Sequence, residues 1–186
     1  MQSERLDAYY DEVMRFSKAL NLTSVRDRDE FFARFIEPSL ALSAMLPETG
    51  RLLDVGSGMG VPGIPILIAK PDLHGVLVER RKKRAEFLRH LGRTLKLSVE
   101  VFDADIRDLP PLGVDACVAR AVTREAELLE MCSPHASLGA VAVFPVPQGS
   151  AAAEVEGWQF IGRKVLRAGA EQWVHQYGYR EVSRET

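Results

Sequence analysis

Apolar residues recur at Leu6, Tyr9, Tyr10, Val13, Phe16 and Leu20, the spacing of a helix with one buried face over residues 4–20. The polar turn NLTSVRDRDE follows, in which Asp27 or Asp29 is placed to cap a second helix carrying Phe31, Phe32, Phe35, Ile36 and Leu40 on one stripe. Pro38 inside that stripe predicts a kink or a restart. After PETG the pattern changes to short apolar runs separated by charged helical stretches, which predicts strand–helix–strand units. The expected strands are 51–55, 75–79, 99–102, 115–119 and 141–144, with helices at 64–70, 81–95 and 124–132. Runs as continuously apolar as VAVF suit a parallel sheet covered on both faces. Two extended runs, WQFIGRKVL and QWVHQYGY, joined at Ala168-Gly169-Ala170, predict an antiparallel hairpin at the end. The pattern therefore gives one α/β domain over residues 1–186: a helical cap over 1–46, then a core over 47–186 with a mostly parallel seven-stranded sheet.

Composition narrows the partners. Lys and Arg total 24 against 26 Asp and Glu, a net charge of -2, so any nucleic-acid binding must come from local patches. The 46% hydrophobic content suits a buried core. Cys117 and Cys132 form no CxxC pair and the four histidines are scattered, so no metal-ligand spacing is present and buried reduced thiols are expected. The N-terminus is charged from its first residues and no apolar run approaches the roughly 20 residues of a membrane span, so a cytoplasmic protein is expected, with no membrane partner.

The chemistry starts at RLLDVGSGMGVPG, residues 51–63: a strand ending in Asp54-Val55, then Gly56, Gly58 and Gly60 in alternation. In an open parallel sheet a ligand lies beyond the carboxyl ends of the strands, where this first turn sits. Glycines allow positive φ and close approach of a ligand to the backbone, and the helix start beyond Pro62 offers free amides. A dinucleotide fingerprint requires G-x-G-x-x-G, but the third position here is Val61. The G-x-G-x-G spacing after Asp54 instead resembles motif I of S-adenosylmethionine-dependent methyltransferases. Roughly 20 residues on, Glu79 ends the second strand, where a carboxylate accepts ribose hydroxyls. Asp105, Ile106 and Arg107 follow the third strand, where an adenine can be bracketed. Asp54 also fits a helix cap, and Glu79 an ion pair with Arg80 or Arg84; the joint spacing favours the cofactor.

Several marks of the methyl acceptor are missing. The turn after the fourth strand reads ARAVT rather than the [DN]PP[YFW] of exocyclic-amine methylation. Neither cysteine is placed as an exposed nucleophile for carbon methylation. Asp103, Asp105 and Asp108 follow a strand where cofactor binding explains them better than a metal site does. What remains is an acceptor whose lone pair attacks unaided, of which guanine N7 is one. Arg120, at the end of the fourth strand, is the candidate catalytic residue, able to hold a cofactor carboxylate or donate to guanine O6.

The chain resembles the small-subunit ribosomal RNA methyltransferase G family, also called glucose-inhibited division protein B, through NLTSVRD at 21–27, DVGSGMGVPGIP at 54–65, KKRAEFL at 82–88 and the AR-A turn at 119–121. The resemblance implies a Rossmann-like fold, S-adenosylmethionine as cofactor and N7 methylation of a guanine in bacterial 16S rRNA. It also implies that Gly56 and Val61 touch the methionine part of the cofactor, Glu79 the ribose, Ile106 and Arg107 the adenine, and Arg120 the cofactor or the acceptor. Asn21, Thr23 and Arg26 would then close over the pocket. Two stretches depart from the family pattern: Arg34-Phe35-Ile36-Glu37-Pro38-Ser39 stands for R-H-I-L-D-S, and Pro147-Gln148-Gly149 stands for L-K-G.

Local positive charge gives the RNA-binding candidates Arg26, Arg34, Lys83 and Arg84, with Gln148 at the lost lysine's position. The expected partner is 16S rRNA or the small ribosomal subunit, bound by a monomer without a metal. The altered stretches leave two alternatives: a methyltransferase for another RNA or a small molecule, and a cofactor-binding rRNA-associated protein without turnover.

Overall fold

A computed structural model describes residues 2–120, 123–168 and 170–180. Helix α1 spans Gln2–Leu20 and buries Leu6, Tyr9, Val13 and Ser17, every third or fourth residue of one face, as the spacing predicts. It packs across two core helices, α4 (Gly63–Ala69) and α5 (Lys82–Thr94). Polar contacts fix its position: Arg5 Nη2 donates to the Leu95 carbonyl at 2.7 Å, and Glu12 Oε2 lies 2.6 Å from His90 Nε2.

The second helical stripe is three pieces rather than one helix. Helix α2 spans Arg28–Phe31, a π-turn spans Phe32–Ile36 and α3 spans Glu37–Ser43. Of the two candidate caps it is Asp27 that serves, its Oδ1 accepting from the Glu30 amide at 2.8 Å. Pro38 has no N–H to return to the preceding turn, so the chain loosens into the π-turn and restarts, with Pro38 in the first turn of α3.

The seven strands are β1 (Gly50–Val55), β2 (Leu73–Val78), β3 (Val99–Phe102), β4 (Val114–Ala119), β5 (Ala136–Val146), β6 (Trp158–Ala168) and β7 (Ala170–Tyr179). Their order is β3-β2-β1-β4-β5-β7-β6. The first five are parallel, and β7 runs antiparallel between β5 and β6. Helix α6 spans Glu125–Cys132. The expected fold class holds, and the sheet edges move by only one or two residues except in β5. That strand begins at Ala136 rather than near 141, because its first half pairs loosely with β4 across an irregularity between Val114 and Ala116. The expected turn residue Gly169 lies outside the described residues.

Both faces of the sheet are covered. Leu52, Ala116 and Val143 point to the side of α1, α3, α4 and α5. Leu53, Val55, Cys117 and Phe144 point to the side of α6, where Leu128, Leu129 and Trp158 close the core. Trp158 Nε1 donates to the Leu129 carbonyl and the Ser133 hydroxyl, so its polar edge is satisfied in the interior. Winding reverses between β1 and β4, which puts a crevice beyond the carboxyl ends of these two strands.

Candidate functional site

The crevice is a cavity of about 720 Å³. Its floor is the glycine turn, built as a chain of committed hydrogen bonds. The Ser57 amide donates to the Val78 carbonyl at 3.0 Å and the Gly60 amide to the Ser57 carbonyl at 2.6 Å. Glu79 spans the turn from β2: Oε2 accepts the Gly58 amide at 2.9 Å and Oε1 the Arg81 amide at 2.8 Å. Two glycines there do different work. Gly60 has φ +98°, and a Cβ on it would meet Ile64 Cγ1 at 2.5 Å, so it is required by packing behind the turn. Gly58 has φ +57°, and its nearest neighbour would be the Gly56 carbonyl at 3.8 Å, so it is bare backbone facing the cavity.

Asp54 lies beneath this turn, fully buried. Its Oδ2 accepts the Gly63 amide at 3.2 Å, and its Oδ1 has no partner. Burial pushes its carboxyl up to about 7; the Gly63 amide and the Ser57 hydroxyl pull the other way, and the Glu79 charge adds to the rise. Tyr9 reaches the underside from α1, its hydroxyl donating to the Met59 carbonyl at 2.9 Å. Burial, then the Asp54 charge, raises its pKa far above the ordinary phenol.

One wall follows β3. Asp105 caps a 3₁₀ turn over Ile106–Asp108. Its carboxylate accepts from the Arg107 amide at 3.0 Å and takes the Arg107 guanidinium through both oxygens, at 2.9 and 2.8 Å. Arg80 adds a contact at 3.6 Å. These bonds hold the Asp105 carboxyl far below the usual range, the Arg107 side chain contributing most. Ile106 is buried beside this pair, its carbonyl 3.1 Å from His135 Nε2. Burial lowers the His135 pKa, which favours the neutral ring as a donor to that carbonyl.

The opposite wall carries Arg120, just beyond β4. Its guanidinium carbon stands 4.7 Å from the Phe35 ring centroid, a cation–π contact. Among the described residues it makes no ion pair and no hydrogen bond, so its donors face the cavity. Desolvation, then the nearby Arg34 charge, lowers its pKa.

The cavity brings together Gly56, Gly58, Val61, Glu79, Arg84, Asp105, Ile106, Arg107 and Arg120 of the expected residues. Asp54 and Gly60 stand behind it. Arg26 turns inward on its own loop, donating to the Thr23 and Val25 carbonyls. Arg84 clips α5 to the end of α1 through the Asn21 carbonyl at 2.5 Å. Arg34 is exposed and lies 3.6 Å from Glu30; Lys83 and Gln148 are exposed and outside the cavity. Ala121 of the AR-A turn lies outside the described residues. Of the three aspartates after β3, Asp103 is held by Arg89 at 2.8 Å, and no metal-binding group occurs among the described residues. Sequence reasoning missed Tyr9, Phe35, Glu127 and Met131. All four sit on helical stretches whose pattern reads as core or solvated face; the only available signal was the Thr123–Glu127 spacing of four residues.

The model of the family described as rRNA small subunit methyltransferase G matches residues 2–145. Curated proteins named ribosomal RNA small subunit methyltransferase G align at similar strength: 38% identity over 139 residues in Cronobacter sakazakii, covering 70% of this chain and 64% of that protein. The Desulfotalea psychrophila protein is 39% identical over 142 residues, covering 71% and 65%, and the Cereibacter sphaeroides protein 36% identical over 148, covering 77% and 72%. The aligned part thus spans just under two thirds of the first two relatives. Among solved structures, Pyrococcus horikoshii TYW2 in complex with MeSAdo superposes with a TM-score of 0.63 at 15% identity, over 79% of this chain and 63% of that one. A SAM-dependent methyltransferase from Aquifex aeolicus gives 0.58 at 16%, over 82% and 94%. The structural likenesses establish the Rossmann-like methyltransferase fold, and the family match extends from α1 to within β5. By that match the chain belongs to the rRNA small subunit methyltransferase G family.

Proposed function

We propose that this protein transfers a methyl group from S-adenosylmethionine to N7 of a guanine in small-subunit rRNA. The observation that carries the reading is the Gly56–Gly60 turn with the Glu79 carboxylate across it, opening on a cavity of about 720 Å³. The residues present suit this cofactor. Gly58 offers bare backbone where any side chain would fill the space. Each Glu79 oxygen accepts one backbone amide and keeps a lone pair for a ribose hydroxyl. Gly56 and Val61 would hold the methionine part, and Ile106 and Arg107 the adenine. Bound there, the cofactor supplies a methyl carbon on a positively charged sulfur.

The protein's task is then positioning. Guanine N7 carries no proton at neutral pH, so no general base is required and orientation supplies the catalysis. Arg120, held by Phe35 with its donors open to the cavity, would donate to guanine O6 or to the cofactor carboxylate. RNA phosphates would be met by Arg34, Lys83 and the other cations at the start of α5. The changed stretches at Phe35–Ser39 and Pro147–Gly149 favour, as a second reading, a methyltransferase with a different RNA acceptor.

The test is transfer of labelled methyl from S-adenosylmethionine to naked 16S rRNA, to small subunits lacking the guanine N7 mark, and to total tRNA. Label mapping to guanine N7 in rRNA is expected. Label only on tRNA supports the second reading, and no label with the cofactor bound overturns both.

A further inference from the structure

The cavity wall beyond β3 carries an apolar surface suited to a flat base: Ile106 and Met131 both line it, and Met131, half-buried, packs in the same apolar cluster as Ile106. Glu127 lies four residues before Met131 on α6 and so shares its face; it too lines the cavity.

A purine on this surface needs an acceptor for any exocyclic amine, and the obvious carboxylate is unavailable. Asp105 already accepts three bonds from Arg107 and faces Arg80. Glu79 belongs to the glycine turn. Glu127 differs from both: Thr123 Oγ1 donates to its Oε2, while Oε1 has no hydrogen-bond or ion-pair partner among the described residues. The Thr123 hydroxyl thus fixes the carboxylate's orientation and leaves one oxygen open. Arg107 faces Glu127 closely enough to feel its charge, which puts this carboxylate beside the Ile106–Arg107 segment.

We propose that Glu127 determines base specificity at this site by accepting a hydrogen bond from the exocyclic amine of the cofactor's adenine, a role that rests on the cofactor reading above. A carboxylate accepts and cannot donate. A hypoxanthine on the same surface would set its carbonyl lone pairs against those of Oε1, so the site discriminates by leaving a polar group opposed rather than by shape.

Calorimetric titration of the protein with S-adenosylhomocysteine and with S-inosylhomocysteine tests this without turnover. The wild type is expected to prefer the adenosyl ligand by about 10- to 100-fold. Glu127→Gln keeps an oxygen for Thr123 and adds a donor, and should bring the two ligands within about 3-fold of each other. Glu127→Ala, on a half-exposed helical position that favours alanine, should do the same and guards against a folding defect in the first variant. An unchanged preference in both Glu127 variants, with the adenosyl ligand still bound, overturns this role and leaves the cofactor reading standing. Failure of the wild type to bind either ligand overturns both.

Discussion

The two sides of the crevice are built in opposite ways. On the β1–β2–β3 side nearly every polar group is already spoken for: Glu79 takes two amides, Asp105 is saturated by Arg107, and the turn amides of Ser57 and Gly60 have carbonyl partners. On the β4–β5 side, Arg120 has open donors and Glu127 an open oxygen. A committed wall holds one shape whether or not a ligand is present, because its groups give up nothing to water on binding. An uncommitted wall derives its order from what arrives. The closed side is therefore suited to holding the constant ligand, the cofactor, in one shape, and the open side to reading what is presented to it, the cofactor's adenine edge at Glu127 and the acceptor at Arg120. Deeper in the same half, His175 Nε2 accepts from Arg163 Nε at 3.0 Å, which leaves Nδ1 to donate to Glu125 at 2.9 Å.

The largest effect that would break this comparison is expected from Gly58→Val. A β-branched residue at φ +57° costs about 1–2 kcal/mol, a fall in Tm of several degrees at this size, and its side chain fills the closed wall's bare backbone. Binding of S-adenosylhomocysteine should weaken at least about 100-fold while circular dichroism stays native. Retained affinity would move the constant ligand off this wall.

Next in size is Arg120→Leu, which removes the open side's cation. Loss of one oriented donor typically costs on the order of 10²-fold in rate, and kcat/KM for labelled methyl transfer to rRNA should fall by about that much. An unchanged rate would show that the open donors of Arg120 serve nothing in turnover.

The committed wall carries an energetic penalty at its buried carboxyl, Asp54. The Asp54 carboxyl sits at about 7 in the fold and near 4 when unfolded. Between these values the native state holds the extra proton, so stability falls as pH rises from about 4 to about 7, and the loss is complete above that. Asp54→Asn cannot ionise and keeps an acceptor for Gly63. The two proteins should therefore melt alike near pH 3.5, below both values, and the variant should be the more stable near pH 8 by a few kcal/mol, read from Tm. Equal melting at both values would mean that the buried charge is stabilised by something other than the Gly63 amide.

The same contrast decided what the sequence could reveal. Glycines at fixed spacing after an apolar strand, and a carboxylate at the end of the next, are local signals, and all of Gly56, Gly58, Glu79 and Ile106 line one cavity. The open wall is assembled from residues whose spacing means something else locally. Phe35 reads as one more apolar position of an amphipathic stripe, yet the π-turn ahead of Pro38 places its ring against Arg120. Glu127 reads as a solvated face, and only the packing of α6 on the sheet turns it to the crevice. In the other direction, Arg26 and Arg84 read as RNA-binding charge but donate to carbonyls of the α1–α2 connection, an irregular turn whose carbonyls have no helical partners of their own. Charge pattern cannot separate a cation that faces solvent from one that closes a loop.

That distinction yields the smallest effect. Arg34 and Lys83 are exposed, whereas Arg84 is tied to Leu20 and Asn21. If RNA is met through free cations, Arg34→Ala and, on α5, Lys83→Ala should each reduce the slope of log affinity against log salt by about 1, with a loss of affinity of only a few-fold near physiological salt. Neither should shift Tm measurably, since the Glu30 contact of Arg34 is an exposed pair worth at most about 1 kcal/mol. Arg84→Ala should behave in the reverse manner, lowering Tm by freeing the end of α1 while leaving the salt slope closer to wild type. Filter binding to 16S rRNA across a salt series, beside thermal melts of the same three variants, separates the two classes. If Arg84 alone changes the slope, RNA is met by the cation that closes the loop rather than by the exposed ones, and the distinction between the two classes is lost.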